Sequence, residues 1–332
     1  MHLIEEILIG VRCINKKIII SILVLAIVGV VLIESFSKNS DVKDYESGTY
    51  QGQTLHKEEL FAASLCVAEK DVKQNLFSAE NTFHAVLLAD LTQKSFLVGD
   101  NLHERIYPAS TTKLMTLYVA LKYGPMDETV TVSNHAVDVP WDSSKAGLYA
   151  GDSLKFYDLL YGLMLPSGND AALAVAESVS GSVEKFVKLM NKEAKSLGAT
   201  NTHFTTPHGY HDEKHYTTIY DLYLILNAAI QDDTFCTIVS EDSYNASITE
   251  AGGYVRSVTW HQTNQFIVGP YSTPDGVTMI GGKTGTTNEA GACLTLYVQD
   301  QVDNNYIAII MGAESKPILY SNMTDLLSLI VK

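Results

Sequence analysis

Basic residues are scarce in this chain. It carries 23 Lys and Arg against 38 Asp and Glu, a formal net charge of -15. A surface that tracks a phosphate backbone needs a basic stripe to displace counter-ions, so nucleic acid is excluded as a partner. Cysteine is also sparse: Cys13, Cys66, Cys236 and Cys293 are scattered, without the paired spacing of a zinc ribbon or a thioredoxin-like motif. They read as buried or unpaired thiols, with one disulfide among Cys66, Cys236 and Cys293 as the alternative in an oxidising compartment. His203, His208, His211 and His215 are close in sequence but have no H-E-x-x-H or related spacing, so neither a metal nor another cofactor is expected. Internal repeats and biased tracts are absent.

Apolar runs of membrane length are missing except in one place. Ile18–Ile33 (IIISILVLAIVGVVLI) has no charge and is bounded by Lys17 and Glu34. As a helix it covers about 24 Å, slightly less than the ~30 Å hydrocarbon core, and Lys16 and Lys17 can snorkel. Arg12, Lys16 and Lys17 precede the run, whereas Glu34, Asp41 and Asp44 follow it beside only Lys38 and Lys43. That bias predicts a cytoplasmic segment over residues 1–17, a single-pass anchor in the bacterial membrane over 18–33, and everything later outside. The alternative is a cleaved signal peptide that uses Ser35 and Ser37 as the small residues before the cut, which leaves a secreted protein. Residues 34–55 are polar and read as an extracytoplasmic tether, leaving 56–332 as one catalytic domain.

Within that domain, the apolar stretch Phe61–Val67 suggests a short helix. Phe83–Ala89 and Ser95–Val98, joined by the turn Asp90–Lys94, predict a β-hairpin. From Ser110 the period becomes helical, with Leu114, Leu117, Tyr118 and Leu121 on one face before Gly124. Helical runs follow at 158–165 and 170–179, at Val183–Leu197 with Phe186, Val187, Met190, Ala194 and Leu197 on one face, and at Thr218–Ile230. Strands return at Gly276–Lys283, Gly291–Val298 and Asn305–Met311, and a helix near Pro317–Val331 closes the chain. Strands at both ends with helices between them predict an α+β fold: an antiparallel sheet flanked by terminal helices, with an inserted helical lobe. A cleft is expected where lobe and sheet meet.

Three constellations carry chemistry. In Pro-Ala-Ser-Thr-Thr-Lys (108–113), Ser110 and Lys113 are one helical turn apart and face the same side. A serine alcohol needs a nearby base to attack an amide, and a lysine can serve if desolvation or another cation lowers its pKa. Ser167-Gly168-Asn169 is a polar triplet wedged between two apolar helical runs, which places it at an edge or cleft. Gly281-Gly282-Lys283-Thr284-Gly285-Thr286-Thr287 combines glycines that permit close backbone approach with a cation and hydroxyls suited to a carboxylate. It is not a phosphate loop, because position 277 is Val where the Walker spacing requires Gly.

In this order, a Ser–Lys pair, an S-x-N triplet and a late K-T-G match the motif set of penicillin-binding proteins and β-lactamases. From Phe83 onward the chain resembles the low-molecular-weight penicillin-binding D-alanyl-D-alanine carboxypeptidases, through YPASTTKLMT, GLYAGDSLKFYDLLYGLMLPSGNDAALAVAE, NTHFTTPHGYHDEKHYTT and GGKTGTTNEAG. The resemblance implies that a peptidoglycan stem peptide ending in D-Ala-D-Ala acylates Ser110, releases its last D-Ala and is then hydrolysed. It further implies that Lys113 is the base, Ser167 the proton relay and Asn169 a substrate contact. Lys283 and Thr284, with Gly285 and Thr286 beside them, would hold the terminal carboxylate. The backbone N–H groups of Ser110 and Thr286 would form the oxyanion hole. β-Lactams are expected to inhibit by forming a lasting adduct, because no glutamate between Asn169 and Lys283 begins the E-x-x-L-N pattern of class A β-lactamases. A D,D-endopeptidase, a β-lactamase, or a silent wall-binding or sensor protein are the alternatives; the intact residue set argues against silence. Many relatives add an all-β domain and a C-terminal amphipathic anchor, for which the residues after Thr284 leave no room, so the N-terminal segment is expected to serve as the tether.

Overall fold

The computed structural model describes residues 65–72 and 83–331. The expected membrane segment at 18–33 and tether at 34–55 lie outside the described residues, as does the first part of the helix expected at Phe61–Val67. Its described end, 65–67, is not helical. Among the described residues, no helix is long and apolar enough to cross a membrane.

The hairpin forms as expected from β1 (Ala85–Asp90) and β2 (Ser95–Asp100). A 3-10 turn at Ala109–Thr112 leads into α1 (Lys113–Tyr123). Two three-residue strands follow, β3 (Thr129–Thr131) and β4 (Ser153–Lys155). The helical lobe contains α2 (Phe156–Met164), α3 (Asn169–Ser180), α4 (Val183–Ser196), α5 (Ile219–Ala229) and α6 (Asp233–Ser240). Then come β5 (Ser243–Thr249), β6 (Val255–His261) and a short α7 (Gln265–Val268). Strands β7 (Val277–Thr287), β8 (Gly291–Asp300) and β9 (Asn305–Ala313) precede the closing α8 (Lys316–Leu327).

The main sheet is antiparallel in the order β2-β1-β9-β8-β7, so strands from both ends of the domain meet where β1 pairs with β9. Side chains alternate across it with the period of two that a strand imposes. Leu87, Ala89, Ile307 and Ile309 face the core shared with the helical lobe. Val86, Leu88, Ala308 and Ile310 face the other way, onto Leu319, Met323 and Leu326 of α8. Burial on both faces explains why β1 reads as an unbroken apolar run. The α+β architecture is thus the one expected, and β7 is an edge strand with one side open to the cleft.

Two features differ from expectation. Helix α1 is not amphipathic with a single buried face: Lys113, Leu114, Met115, Thr116, Leu117, Val119 and Ala120 are all buried, while Tyr118 and Leu121 are only half-buried. A helix enclosed on most sides is a core helix, and its polar groups must find partners. Thr116 does so through its Oγ1–H, donated to the Pro207 carbonyl at 2.5 Å. Second, β3-β4-β5-β6 form another sheet that the expected elements did not include. Its first two strands are too short to show a period. In β5, the alternation of buried Ala246 and Ile248 with exposed neighbours was the available signal.

Caps account for the helix boundaries. Thr218 accepts from Asp221 N at 3.0 Å at the start of α5, and Asp232 accepts from Thr234 N at 2.8 Å at the start of α6. Gly181 ends α3 at φ +73°, the left-handed conformation a C-terminal glycine adopts at little cost. Cys66, Cys236 and Cys293 are free thiols.

Candidate active site

The turn before α1 brings Ser110 and Lys113 together. Ala109 has φ +47°, a left-handed conformation in a residue with a Cβ, which costs on the order of 1–2 kcal/mol and is held by its surroundings. Thr111 Oγ1 donates to the Pro108 carbonyl at 2.6 Å and tightens the turn. Lys113 Nζ lies 3.2 Å from Ser110 Oγ, 2.7 Å from Asn169 Oδ1 and 2.9 Å from the His208 carbonyl oxygen. The lysine is fully buried. Burial, and then the nearby Lys283 charge, push its pKa well below the ordinary lysine value, against a weaker opposing pull from Asp170. A neutral amine has two N–H donors and one lone pair. The Asn169 and His208 oxygens can only accept, so they take the two N–H groups and leave the lone pair facing the Ser110 hydroxyl.

Ser167 and Asn169 reach the same place from the link between α2 and α3. Ser167 has φ +60°, and its Oγ is buried without a hydrogen-bond partner among the described residues. Gly168 is confined: a Cβ there would lie 2.7 Å from the Gly162 carbonyl oxygen and 2.8 Å from Ala146. Asn169 N donates to the Ser144 carbonyl at 2.8 Å. The next residue, Asp170, is buried and accepts four backbone N–H bonds: Ala146 at 2.7 Å, Gly147 at 3.0 Å, Leu148 at 3.1 Å and Ala171 at 2.9 Å. This carboxylate cradle ties segment 144–148 to the start of α3 and thereby fixes the rim beside Asn169.

The K-T-G segment continues β7 as strand through Thr287, past the expected end at Lys283. Gly285 passes so close to the nucleophile turn that a Cβ would sit 3.0 Å from Ser110 N and 3.1 Å from Thr111 N. A side chain there would press on the nucleophile turn, and the Gly285 backbone lies against that of Ser110. Thr284 Oγ1 is 2.6 Å from Thr263 Oγ1, and Thr286 is exposed, with its hydroxyl donated to the Gly285 carbonyl at 2.7 Å. Lys283 is fully buried, donates to the Thr284 carbonyl at 3.0 Å, and has its pKa lowered to about 7 by burial.

Four of these contributions carried no sequence signal strong enough to find them. The 203–217 loop, read as four dispersed histidines, supports the base. His208 contributes its carbonyl to Lys113, and its Nδ1 accepts from Tyr210 N at 3.1 Å. His215 Nδ1 accepts from Thr205 N at 3.0 Å, so its Nε2 carries the proton and donates to Thr112 Oγ1 at 2.8 Å. Burial lowers the two pKa values, to about 3 for His208 and about 4 for His215, and the nearby Lys113 charge adds to the effect at His208. The loop packs on the nucleophile turn through Gly209, at φ +80°, where a Cβ would run into the Ala109 carbonyl. Asp170, inside the stretch GLYAGDSLKFYDLLYGLMLPSGNDAALAVAE that carries the resemblance, and Thr263 and Lys316, which lie outside every such stretch, complete the set.

These groups enclose a cleft of about 120 Å³ whose wall includes Ser110, Ser167, Thr263, Thr284, Thr286 and Lys316. Every sequence-expected site residue lies at this cleft or directly beneath it. Lys113 and Asn169 form its buried support, Gly285 joins the two walls, and Lys283 is buried on β7. The arrangement offers a serine hydroxyl, a buried amine of lowered pKa beside it, an unpartnered hydroxyl and adjacent backbone N–H groups, the parts that acyl transfer requires.

Residues 70–315 match the Peptidase_S11 family, described as D-alanyl-D-alanine carboxypeptidase. The chain is 34% identical over 273 residues to D-alanyl-D-alanine carboxypeptidase DacF of Bacillus subtilis, covering 78% of this chain and 64% of that protein, so it spans just under two thirds of that relative. It is 36% identical over 230 residues to the D-alanyl-D-alanine carboxypeptidase of a Streptomyces strain, K15, covering 66% of this chain and 77% of that one. The crystal structure of the Streptomyces K15 DD-transpeptidase superposes with a TM-score of 0.70 at 30% identity, covering 76% of this chain and 97% of the other.

Proposed function

The chain belongs to the D-alanyl-D-alanine carboxypeptidase family, and from that premise we propose that it is a serine-type D-alanyl-D-alanine carboxypeptidase that trims peptidoglycan stem peptides outside the cytoplasm. The observation that carries this reading is the fully buried amine of Lys113, 3.2 Å from Ser110 Oγ, 2.7 Å from Asn169 Oδ1 and 2.9 Å from the His208 carbonyl oxygen.

The proposed reaction follows from the geometry. Lys113 takes the Ser110 hydroxyl proton as Oγ attacks the carbonyl carbon of the penultimate D-Ala. The Ser110 and Thr286 N–H groups stabilise the oxyanion, a contribution worth on the order of 10²–10³ in rate per donor. The proton passes from Lys113 through Ser167 to the leaving nitrogen as the C–N bond breaks, and terminal D-Ala departs. The Ser167 Oγ lines the cleft without a partner among the described residues, which leaves it free to bond the substrate's leaving nitrogen. Water then attacks the Ser110 ester, with Lys113 accepting its proton, and the trimmed peptide leaves. Asn169 orients Lys113 and meets the substrate backbone. Thr284 and Thr286 present hydroxyls to the terminal carboxylate, while Lys283 contributes positive potential from beneath the strand.

A β-lactam would acylate the same serine, and its tethered leaving group would stay to obstruct water. The likeness to a protein named a DD-transpeptidase supports a second reading, in which an amine replaces water as the acceptor of the same acyl group. The test incubates the exported domain with a diacyl-D-Ala-D-Ala peptide and measures released D-Ala. Release with stoichiometric hydrolysed peptide is the expected outcome. Release that requires an added amine would favour transpeptidation, and no release from folded protein that penicillin labels would remove the carboxypeptidase reading. The N-terminal anchor is part of the proposal and is tested separately, by whether the native protein retains residues 1–33 by mass.

A further inference from the structure

We propose that the hollow at the end of the main sheet, between Arg105 and Glu314, is a subsite for the diamino acid that precedes the two D-alanines. It selects a side chain that ends in both a carboxylate and an ammonium. This deepens the reading above and rests on it. The hollow encloses about 460 Å³, more than the cleft itself. Two stretches of chain lead into it from the cleft. Ser110 lines the cleft, and Arg105, Ile106 and Tyr107 just before it line the hollow. Thr284 and Thr286 line the cleft, and the turn after β7, with Asn288 and Glu289, lines the hollow. The direction of the substrate follows from the proposed chemistry. With its terminal carboxylate at Thr284 and its reacting carbonyl at the Ser110 and Thr286 N–H groups, the peptide lies antiparallel along the open edge of β7. A strand advances about 3.3 Å per residue, so the residue before the penultimate D-Ala comes level with the turn after Thr287. In a stem peptide that residue carries a long side chain ending in an amine. Lysine ends in the ammonium alone, and diaminopimelate is the same chain with a carboxylate on its last carbon.

The hollow matches the second kind. Two carboxylates, Glu289 and Glu314, and two bases, His84 and Arg105, line it. His84 is paired with Glu104 at 3.0 Å, and Glu289 faces His211 Nδ1 at 3.8 Å. Arg105 and Glu314, both exposed, make no hydrogen bond or ion pair among the described residues. One free cation and one free anion offer each end of a zwitterion its own partner, whereas a lone ammonium would leave Arg105 unused. Arg105 is held in place while its donors stay open. Its guanidinium carbon lies 4.2 Å from the centre of the Tyr216 ring, and the next residue, Ile106, exchanges backbone hydrogen bonds with Thr217 at 2.9 and 3.0 Å. The planar fork of N–H groups suits a carboxylate. Glu314 stands between the end of β9 and Ser315, the N-cap of α8, so its backbone is fixed as well. The floor is apolar, with Ile106, Met311 and Ala313 buried. Gly312 keeps it low, since a Cβ there would meet the His84 side chain at 2.6 Å. The methylenes of the diamino acid lie on this floor and its charged end meets the rim.

The test compares kcat/KM for N-terminally blocked peptides X-D-Ala-D-Ala, where X is diaminopimelate, lysine or Nε-acetyl-lysine, in wild type, Arg105→Gln, Arg105→Lys and Glu314→Gln. Wild type should favour diaminopimelate over lysine, and lysine over acetyl-lysine, each by about 5- to 10-fold, the worth of one charged hydrogen bond at a half-open site. Arg105→Gln should bring the diaminopimelate value down to that of lysine, and Arg105→Lys should keep most of the preference. Glu314→Gln should remove the advantage of lysine over acetyl-lysine. Ratios between substrates are immune to a general loss of folded protein. Equal values for the three peptides in wild type, or a diaminopimelate preference that survives Arg105→Gln, would overturn the subsite. If penicillin labels Ser110 but no peptide is hydrolysed, the carboxypeptidase reading fails and competition decides the subsite instead. Each peptide is then ranked by how far it slows penicillin labelling, read by intact mass. Protection strongest with diaminopimelate and levelled in Arg105→Gln supports the subsite; equal protection, or none, overturns it.

Discussion

The two walls of the cleft are built on opposite principles. On the helical-lobe side, Lys113, Asn169, Asp170 and His215 are buried, and each polar group is tied to a named partner. On the strand side, Thr286 and Lys316 are exposed, and Thr263 and Thr284 bond mainly to each other. Proton transfer tolerates little positional error, and enclosure lowers a lysine's pKa, which suits the role of base proposed for Lys113. Recognition of an anion at the mouth needs groups that can still turn toward it. The same residue type thus sits in opposite surroundings: burial lowers the pKa of Lys113, whereas Lys316 is exposed on the cleft wall.

The largest effect that would break this comparison is loss of the base. Lys113→Ala should reduce the rate of penicillin acylation by about 10³-fold or more, since general-base catalysis alone contributes about 10²–10⁴. Stopped-flow or intact-mass kinetics on folded protein would show it, and Ser110→Ala should remove the adduct altogether. A rate within tenfold of wild type in Lys113→Ala would assign the base elsewhere.

Glycine substitutions sharpen the comparison next. Gly209→Ala forces a Cβ into the Ala109 carbonyl at φ +80°, whereas Gly181→Ala has a similar φ of +73° and open space around it. Gly181→Ala should cost about 1 kcal/mol of stability in a urea titration with acylation unchanged. Gly209→Ala should cost more and slow acylation as well, because the loop it displaces carries the His208 carbonyl. Equal behaviour of the two would mean that the loop does not hold the nucleophile turn.

Acid sensitivity tests the enclosed wall through its histidines. His208 and His215 have folded pKa values of about 3 and about 4, below the ordinary 6.5. Above 6.5 they are neutral in both the folded and unfolded states, and their contribution to stability is fully present. As pH falls, the unfolded chain takes up protons that the folded protein refuses. Stability should therefore decline from about pH 6.5 and level off near the folded values, by up to about 1.4 kcal/mol per pH unit for each histidine. Urea midpoints between pH 7.5 and 4.5 would measure the slope, and His208→Asn should reduce it. A slope unchanged in that variant would place the sensitivity in other groups.

Asp170→Asn should act more gently on the chemistry. The carboxylate favours the protonated form of Lys113, so removing its charge should move the acid limb of the kcat/KM profile to lower pH, while the looser 144–148 rim raises KM. A fall in kcat/KM with no movement of the limb would make Asp170 purely structural. Smallest of all, Thr284→Val should cost only a few-fold in the free-acid substrate, because the Thr263 and Thr286 hydroxyls remain.

Much of this architecture was legible before any coordinates. The short apolar runs of β1, β8 and β9 and the 3.6-residue period of α4 are local patterns, and local patterns survive in a one-dimensional reading. The second sheet was missed because β3 and β4 span three residues each, too few to display a period. The single apolar face expected for α1 covers only part of its burial, because Lys113 and Thr116, with Thr112 in the turn before them, are buried polar groups whose partners come from the 203–217 loop and α3.

The site divides along the same line. Ser110 beside Lys113 follows from chain chemistry alone, since a helical turn sets residues three apart on one side whatever surrounds them. The Ser167–Asn169 triplet and the glycine-flanked Lys283-Thr284 announced themselves by residue type. Folding was needed for the His208 carbonyl on Lys113, the Asp170 cradle, the burial of Lys283 and the arrival of Lys316 at the cleft. A backbone carbonyl is the same at every position and so leaves no mark in the sequence. Whether a lysine is enclosed or exposed is a property of what packs on it, and that is decided by parts of the chain far away.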